Sequence, residues 1–340
     1  MVIVTCIYYF ILSGLNRTTR CLADRATQRL KGAFAESTKS SYNHKFRYFL
    51  AFCILNSIQL QDVNVYIVLA FLEFLVFNKF SHGVVKNYVS ALKSYFVCYG
   101  LPTSVFSDRR ITYFIKALQK AGPHTAVLRP IIDKQLLLEI ADTCDTMADG
   151  YIFKAVYLTA FFSFLRISNL VSHSINKFSP FKQLTRGDVI FCEPGAVLIV
   201  KWSKTLQTNN AIRLLKIPFL HGSNVCPVTA LKILLHMTPC SKNHPLFQIR
   251  LHGNWVPLTD TRVRKHLKLI LNRLDLCNTK LTFHSFRRSG ATLAFNTNAS
   301  LQSIQAQGTW TSDCVWRYIT QDENTSDEVA LSFQNLFSTH

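Results

Sequence analysis

From residue 36 to residue 121 the apolar positions recur at helical intervals. In ESTKSSYNHKFRYFLAFCILN, Tyr42, Phe46, Phe49 and Phe52 follow one another by four and three, behind Ser37, Thr38 or Ser40 as caps. DVNVYIVLAFLEFLVFN predicts a second helix, and SHGVVKNYVSALKSYFVCYG a third, opened by Ser81 and closed by Gly100. DRRITYFIKALQKAG predicts a fourth, ending before Pro123. The polar faces of this four-helix unit carry Lys86, Lys93, Arg109, Arg110, Lys116 and Lys120. AGPHTAVLRP has prolines near both ends and reads as a linker. Helices resume with DKQLLLEIADTCDT and with the apolar run 151–165.

The period changes over 187–219. Two apolar runs flank Glu193-Pro194-Gly195, a turn signal, and a third, AIRLLKIPF, follows the polar TLQTNN. Three short antiparallel strands are expected, with Lys204 near the tip between the second and third. Helical patterns then return. TDTRVRKHLKLILNRL has Thr259 or Thr261 as cap and carries Arg262, Arg264, Lys265, Lys268 and Arg273 off its apolar stripe. HSFRRSGATLAF follows, then SLQSIQAQGTW, opened by Ser300 and ended by Gly308, then SDCVWRYI and an amphipathic tail, DEVALSFQNLF. The chain is mainly α (α+β) and shows no internal repeat. Residues 1–35 are given no element.

At 340 residues, 49 % of them apolar, the chain can bury the cores of two ordinary domains. The stretches 65–77 and 151–165 are shorter than a span of about 18 residues and contain Glu73 and Lys154, so they read as buried core helices. MVIVTCIYYFIL is also too short to span, and it lacks the basic start of a secretion signal. A stray apolar segment or a misplaced start is the expectation, with no membrane partner and no secretion. Charge narrows the classes further. The net +19 is distributed as +10 over residues 1–125, +13 over 126–320 and −4 over the last twenty. Both expected domains are basic, which points to a polyanion held by both, most simply nucleic acid. The 10 cysteines are scattered without a Cys-x-x-Cys pair, as in a reducing compartment. His236, Cys240 and His244 recur every four residues, but Pro239 and Pro245 break the helix that would align them on zinc.

HSFRRSGAT places His284 and Arg287 three apart on one helical face, a pair that by itself fits binding an anionic group, plain solvation, or acid–base work on a phosphate. Arg166 stands where the apolar run of FFSFLRISNL ends and the next helix opens. Lys204 sits in KWSKTLQT on the expected hairpin, Trp310 in QGTW and Tyr318 in VWRYI. This ordered set, from a basic helical unit through a linker to a helical unit with a sheet insert, resembles the tyrosine recombinases of the phage-integrase family over about residues 36–335. The wording FLRISNL, WSKT and GTWTSD is more similar to recombinases of eukaryotic mobile elements, of the Crypton and DIRS-like kind, than to bacterial Xer proteins. Two departures stand out. The step from Trp310 to Tyr318 is eight, one fewer than in many bacterial members, and Asn169 stands where many have Glu.

The resemblance implies the DNA breaking-rejoining enzyme fold. Residues 36–121 would form a four-helix SAM-like core-binding domain, 122–130 the linker, 131–325 the catalytic domain and 326–340 a tail helix. It implies a C-shaped clamp on double-stranded DNA and a homotetramer in the synaptic complex, helped by the tail. No metal, ATP or other cofactor and no small-molecule substrate is implied. The enzyme would be nuclear in a eukaryotic host, otherwise cytoplasmic on DNA. The implied catalytic set is Arg166, Lys204, His284, Arg287, Trp310 and Tyr318. Two guanidiniums would fork onto the non-bridging oxygens and stay charged at any working pH. Tyr318 would be the nucleophile, forming a 3′-phosphotyrosine. Lys204, with Lys201 as rival, would protonate the 5′-oxygen. His284 would be base or further phosphate donor, and Trp310 would give its indole N–H to the phosphate. Lys86, Lys93, Arg109, Arg110, Arg262, Arg264, Lys265 and Lys268 are expected on DNA, and Arg288 on a phosphate or in solvent. Helices 84–99 and 261–274 would read bases. A type IB topoisomerase-like relaxase and a domesticated or inactive DNA-binding protein remain as alternatives.

Overall fold

A computed structural model describes residues 16–122, 130–203, 212–310 and 313–319. The chain divides into two compact units between Val127 and Leu128.

The first unit is helical: α1 (Arg17–Gly32), α2 (Glu36–Leu55), α3 (Val65–Phe77), α4 (His82–Cys98) and α5 (Arg109–Ala121). Asparagine and aspartate side chains open three of these helices. Asn16 accepts from the Thr19 amide, Asn64 from those of Tyr66 and Ile67, and Asp108 from that of Arg110. Aromatic rings run through the core. Phe49 and Phe71 meet edge-on with centroids 4.9 Å apart, and Phe46 stacks on Tyr95 at 4.1 Å. Helix α1 has no counterpart in the sequence reading. It is polar, and its Leu22 and Leu30 are exposed, so no apolar stripe announces it.

The second unit is built round α7 (Gly150–Ser163), which is buried on nearly every side. Packed with it in one core are α6 (Lys134–Asp145), α9 (Pro227–Met237), α10 (Asp260–Arg273) and α11 (Phe283–Asn296). Gly290 lets α11 approach α7 closely, since a Cβ there would stand 2.0 Å from the Phe161 carbonyl oxygen. The short helices α8 (Ile167–Leu170) and α12 (Leu301–Gln307) complete the set.

Three antiparallel strands, β1 (Val189–Cys192), β2 (Gly195–Val200) and β3 (Arg213–Pro218), lie in the order β1-β2-β3. Val189 pairs with Leu198 and Val200 with Arg213. Ala196, Leu198 and Val200 are buried while their neighbours in β2 are half-buried, the alternation of a sheet with one covered face. A second hairpin, β4 (Gln248–Leu251) and β5 (Asn254–Pro257), is unannounced in the sequence. Its strands are four residues each, and its turn takes His252 and Gly253 into the left-handed region, with φ of 47° and 84°. SDCVWRYI forms a 3-10 segment, Asp313–Arg317, rather than an α-helix, and Tyr318 follows it. Residues 123–129 of the expected linker 122–130, Lys204 and the tail 326–340 lie outside the described residues. No helix among the described residues is long and apolar enough to cross a membrane.

Candidate active site

Four elements of the second unit meet at Tyr318. Helix α7 ends where Phe164 turns left-handed, with φ 52° and ψ 28°, and Arg166 then caps α8. Phe283 begins α11, so His284 is in its first turn and Arg287 one turn on. Thr282 opens that helix with a capping box closed by Ser285. Helix α12 ends at Gly308, and Trp310 folds its ring back over that glycine. A Cβ at Gly308 would lie 1.9 Å from Trp310 Cζ3, so only glycine fits there. The 3-10 segment then brings up Tyr318, whose carbonyl accepts from Thr292 Oγ1 of α11 at 3.0 Å.

The aromatic rings surround the Arg287 guanidinium. Its Cζ stands 4.2 Å from the Trp310 ring centroid and 5.2 Å from that of Tyr318. Trp310 and Tyr318 are 4.8 Å apart, and the exposed His284 ring lies 5.2 Å from that of Tyr318. Arg287 is 1 % exposed. One terminal nitrogen donates to the Phe164 carbonyl and the other to that of Gly308 at 2.7 Å. Its fork is thus turned onto main-chain carbonyls, and Nε is its one nitrogen without a partner in the described residues. Burial pushes the Arg287 pKa below the ordinary guanidinium range to about 9. The nearby charge of Arg166 adds to this, and Tyr318 opposes it. In this cluster, Arg166 Nη1, Arg287 Nε and Trp310 Nε1 are among the buried side-chain atoms that have no hydrogen-bond partner in the described residues. A cluster holding two guanidiniums and three orphan donors, with no carboxylate among these contacts, has the chemistry to receive an oxyanion.

No family model matches the sequence, and no curated protein matches it. Solved structures do match. The Tn1549 transposon integrase in complex with transposon right end DNA is 14 % identical, over 93 % of this chain and 99 % of that one, at a TM-score of 0.66. The XerH site-specific recombinase bound to palindromic difH substrate is 16 % identical, over 88 % and 79 %, at 0.59. A lambda integrase dimer bound to a COC′ core site is 17 % identical, over 92 % and 83 %, at 0.57. The fold is that of the tyrosine recombinases.

In this recombinase fold the sequence-picked Arg166, His284, Arg287, Trp310 and Tyr318 share one site, though far apart in the chain. Lys201 is committed elsewhere: its Nζ lies 2.7 Å from Oδ2 of the buried Asp188. Lys86, Lys93, Arg109, Arg262, Arg264, Lys265 and Lys268 are all exposed. Arg110 is exposed too but gripped. Asp108 takes its Nε and Nη2 at 3.0 and 2.8 Å, and the guanidinium lies 4.9 Å from the centre of the Tyr66 ring. That grip holds the Asp108 carboxyl down at about 2. Arg288 corrects the sequence reading. It is buried, and its Nη2 donates to the Pro130 carbonyl, so it anchors the end of the linker and does not face solvent. In the zinc candidate, His244 Nδ1 engages Ser241 Oγ at 2.7 Å and Cys240 Sγ lies 3.8 Å from Gln248 Oε1. Sequence reasoning missed Phe164 and Thr292, and it took Gly308 only as the end of a helix.

Proposed function

We propose that the chain is a site-specific DNA recombinase that cuts and rejoins duplex DNA through a 3′-phosphotyrosine on Tyr318, in the integration or mobilisation of a mobile element. The observation that carries this reading is the gathering of Arg287 and Trp310, each with a buried partnerless donor, against the Tyr318 ring, with the charge of Arg166 near Arg287. The wording of its motifs supports a mobile element of the Crypton or DIRS-like kind. Neighbours solved on DNA, among them a transposon integrase, support duplex DNA as partner.

The chemistry follows from the site. A scissile phosphate lies against Arg166, Arg287 and Trp310, which meet the charge that grows on its non-bridging oxygens. Tyr318 Oη attacks phosphorus as His284 draws off its proton. The P–Oη bond forms and the P–O5′ bond breaks. The leaving 5′-oxygen takes a proton from Lys204. Rejoining runs the same steps backwards with another 5′-hydroxyl, so the bond energy is kept in the protein–DNA link. Strand exchange between two duplexes needs four such cuts, hence a tetramer in the synaptic complex. The helices over 36–121 form the core-binding domain, and α4 and α10 carry its exposed cations and those of the catalytic domain to DNA.

The test is covalent capture. The chain is mixed with a random pool of nicked duplexes, where loss of the short 5′ fragment traps the intermediate. An SDS-resistant adduct is expected from the unsubstituted chain and none from Tyr318→Phe. DNA binding without any adduct would leave only the binding-protein alternative.

A further inference from the structure

Helix α1 lies outside the expected four-helix unit and adds little to its core. It packs against α4, and the covered side, at Arg20, Ala23, Asp24 and Thr27, is only half-buried. None of its described side chains is buried outright. Leu22, Arg25, Ala26 and Arg29 are exposed on the other side, and Arg17 is exposed at the start. A helix of 16 residues is marginal on its own in water. Its charges do not make up the difference. Arg17 is its first residue and no acid occupies its first turn, an arrangement that opposes the helix dipole. The one acid of α1, Asp24, is on the covered side. Among the described residues no ion pair engages Arg17, Arg25 or Arg29. Arg25 and Arg29 stand one turn apart, about 5–6 Å at Cβ. Arg17 is about 12 Å from Arg25 along the axis, eight residues at about 1.5 Å each.

Three exposed guanidiniums that do nothing for the helix suit an anion from outside. Helix α4, on which α1 packs, exposes Lys86 and Lys93, so two adjoining helices carry cations for one polyanion. A second copy of the same face would set Arg25 and Arg29 against their own kind. An apolar partner would bury both charges beside Leu22. We propose that α1 is a DNA-contacting helix, additional to the four-helix unit, with Arg17, Arg25 and Arg29 on backbone phosphates of duplex DNA. Such contacts set affinity and register but read no bases. A phosphate at Arg17 also offsets the unfavourable charge at the start of the helix, so α1 is firmer on DNA than off it. The inference rests on the reading above of duplex DNA as the partner.

The test joins a binding titration to hydrogen exchange, both on the full-length chain with a random-sequence duplex. The double variant Arg25→Gln, Arg29→Gln removes two charges and keeps the helix, since glutamine and arginine are nearly equal helix formers. Affinity is followed by fluorescence anisotropy from about 50 to about 200 mM salt. Each lost phosphate contact lowers the slope of log K against log salt by about 0.9, so a fall of about 2 is expected. At about 100 mM salt the double variant should bind about 10- to 100-fold more weakly. Arg17→Gln should lower the slope by about 1, and it serves if the double variant fails to fold. In the unsubstituted chain, duplex should slow exchange of the α1 amides at least about tenfold. An unchanged slope would overturn the inference. A smaller slope without slowed exchange in α1 would do so too, because the loss would then belong to the overall charge. Exchange in α1 that slows with protein concentration alone would mean that a second copy covers this face, against the proposal. If the unsubstituted chain binds no duplex, the reading of DNA as partner falls and α1 with it. If only the variants fail to differ, that reading stands and the inference about α1 alone is lost.

Discussion

Replacing chloride by sulfate at equal ionic strength asks whether the Tyr318 cluster is an anion site, without any knowledge of the DNA target. The three orphan donors are Arg166 Nη1, Arg287 Nε and Trp310 Nε1. Hydrogen bonds to a charged group contribute about 1.5–3 kcal/mol each, so three give about 5–9 kcal/mol before costs. Association costs at least about 4 kcal/mol, which leaves a few kcal/mol, and about 4 kcal/mol corresponds to a Kd of about 1 mM. At about 100 mM sulfate the folded state then gains about 2.7 kcal/mol. For a unit of about 200 residues this raises the melting temperature by about 5–10 °C. All 4 tryptophans, Trp202, Trp255, Trp310 and Trp316, belong to the second unit, so tryptophan fluorescence follows that unit alone. Sulfate also stabilises folded proteins by exclusion from their surfaces, so the informative quantity is the difference from Arg287→Met. That variant removes Nε and also relieves the buried charge that holds the Arg287 pKa down. A sulfate response at least about 5 °C larger in the unsubstituted chain is expected. Equal responses would mean that the orphan donors do not form an oxyanion site, and the proposed chemistry would lose its physical basis.

Other expectations follow from particular contacts. Arg287→Met should slow cleavage by at least about 100-fold while leaving DNA affinity near its starting value, measured by single-turnover cleavage and by titration. Gly290→Ala, which sets a methyl 2.0 Å from the Phe161 carbonyl, should destabilise the second unit by about 1–3 kcal/mol in a denaturant titration. Buried His266 stacks on Phe153 with centroids 3.7 Å apart, and desolvation lowers its pKa from 6.5 to about 4. The unfolded chain therefore takes up this proton first. Stability is complete above pH 6.5 and falls as pH drops from there toward about 4, and His266→Phe should flatten that slope in denaturant midpoints. Lys265→Ala and Lys268→Ala should each reduce the slope of log K against log salt by about 1, and unchanged slopes would take α10 off the DNA.

The sequence is legible where the period is strong. Helices α2 to α5 fall within a few residues of their expected bounds because buried residues repeat at helical spacing, as Phe46, Phe49 and Cys53 do in α2 and Val85, Tyr88, Leu92 and Phe96 in α4; the expected caps Ser37, Thr38 and Ser40 lie inside α2, which Ala35 precedes. The three-stranded sheet is legible because turn residues separate its apolar runs. Polar α1 and the four-residue strands β4 and β5 are too weakly patterned to announce themselves. In the site, the side chains proposed to react stand out by type and order, and their supports do not. Thr292 acts through a main-chain carbonyl, and Phe164 through a left-handed backbone that its apolar neighbours conceal. Arg288 misleads for the same reason. A cation beside Arg287 reads as surface until the Pro130 carbonyl is found against it. Asn169 reads as a lost carboxylate, whereas its Nδ2 donates to the Trp202 carbonyl, a bond that a carboxylate could not make.

The decisive measurement is the identity of the amino acid that carries trapped DNA. After capture on nicked duplex, the adduct is trimmed with nuclease and protease and the modified peptide sequenced by mass spectrometry. A nucleotide joined through its 3′ phosphate to Tyr318, and lost in Tyr318→Phe, is the result expected. A nucleotide joined to any other residue, or through a 5′ phosphate, would contradict the placement of Arg166, Arg287, Trp310 and Tyr318 round one reacting phosphate.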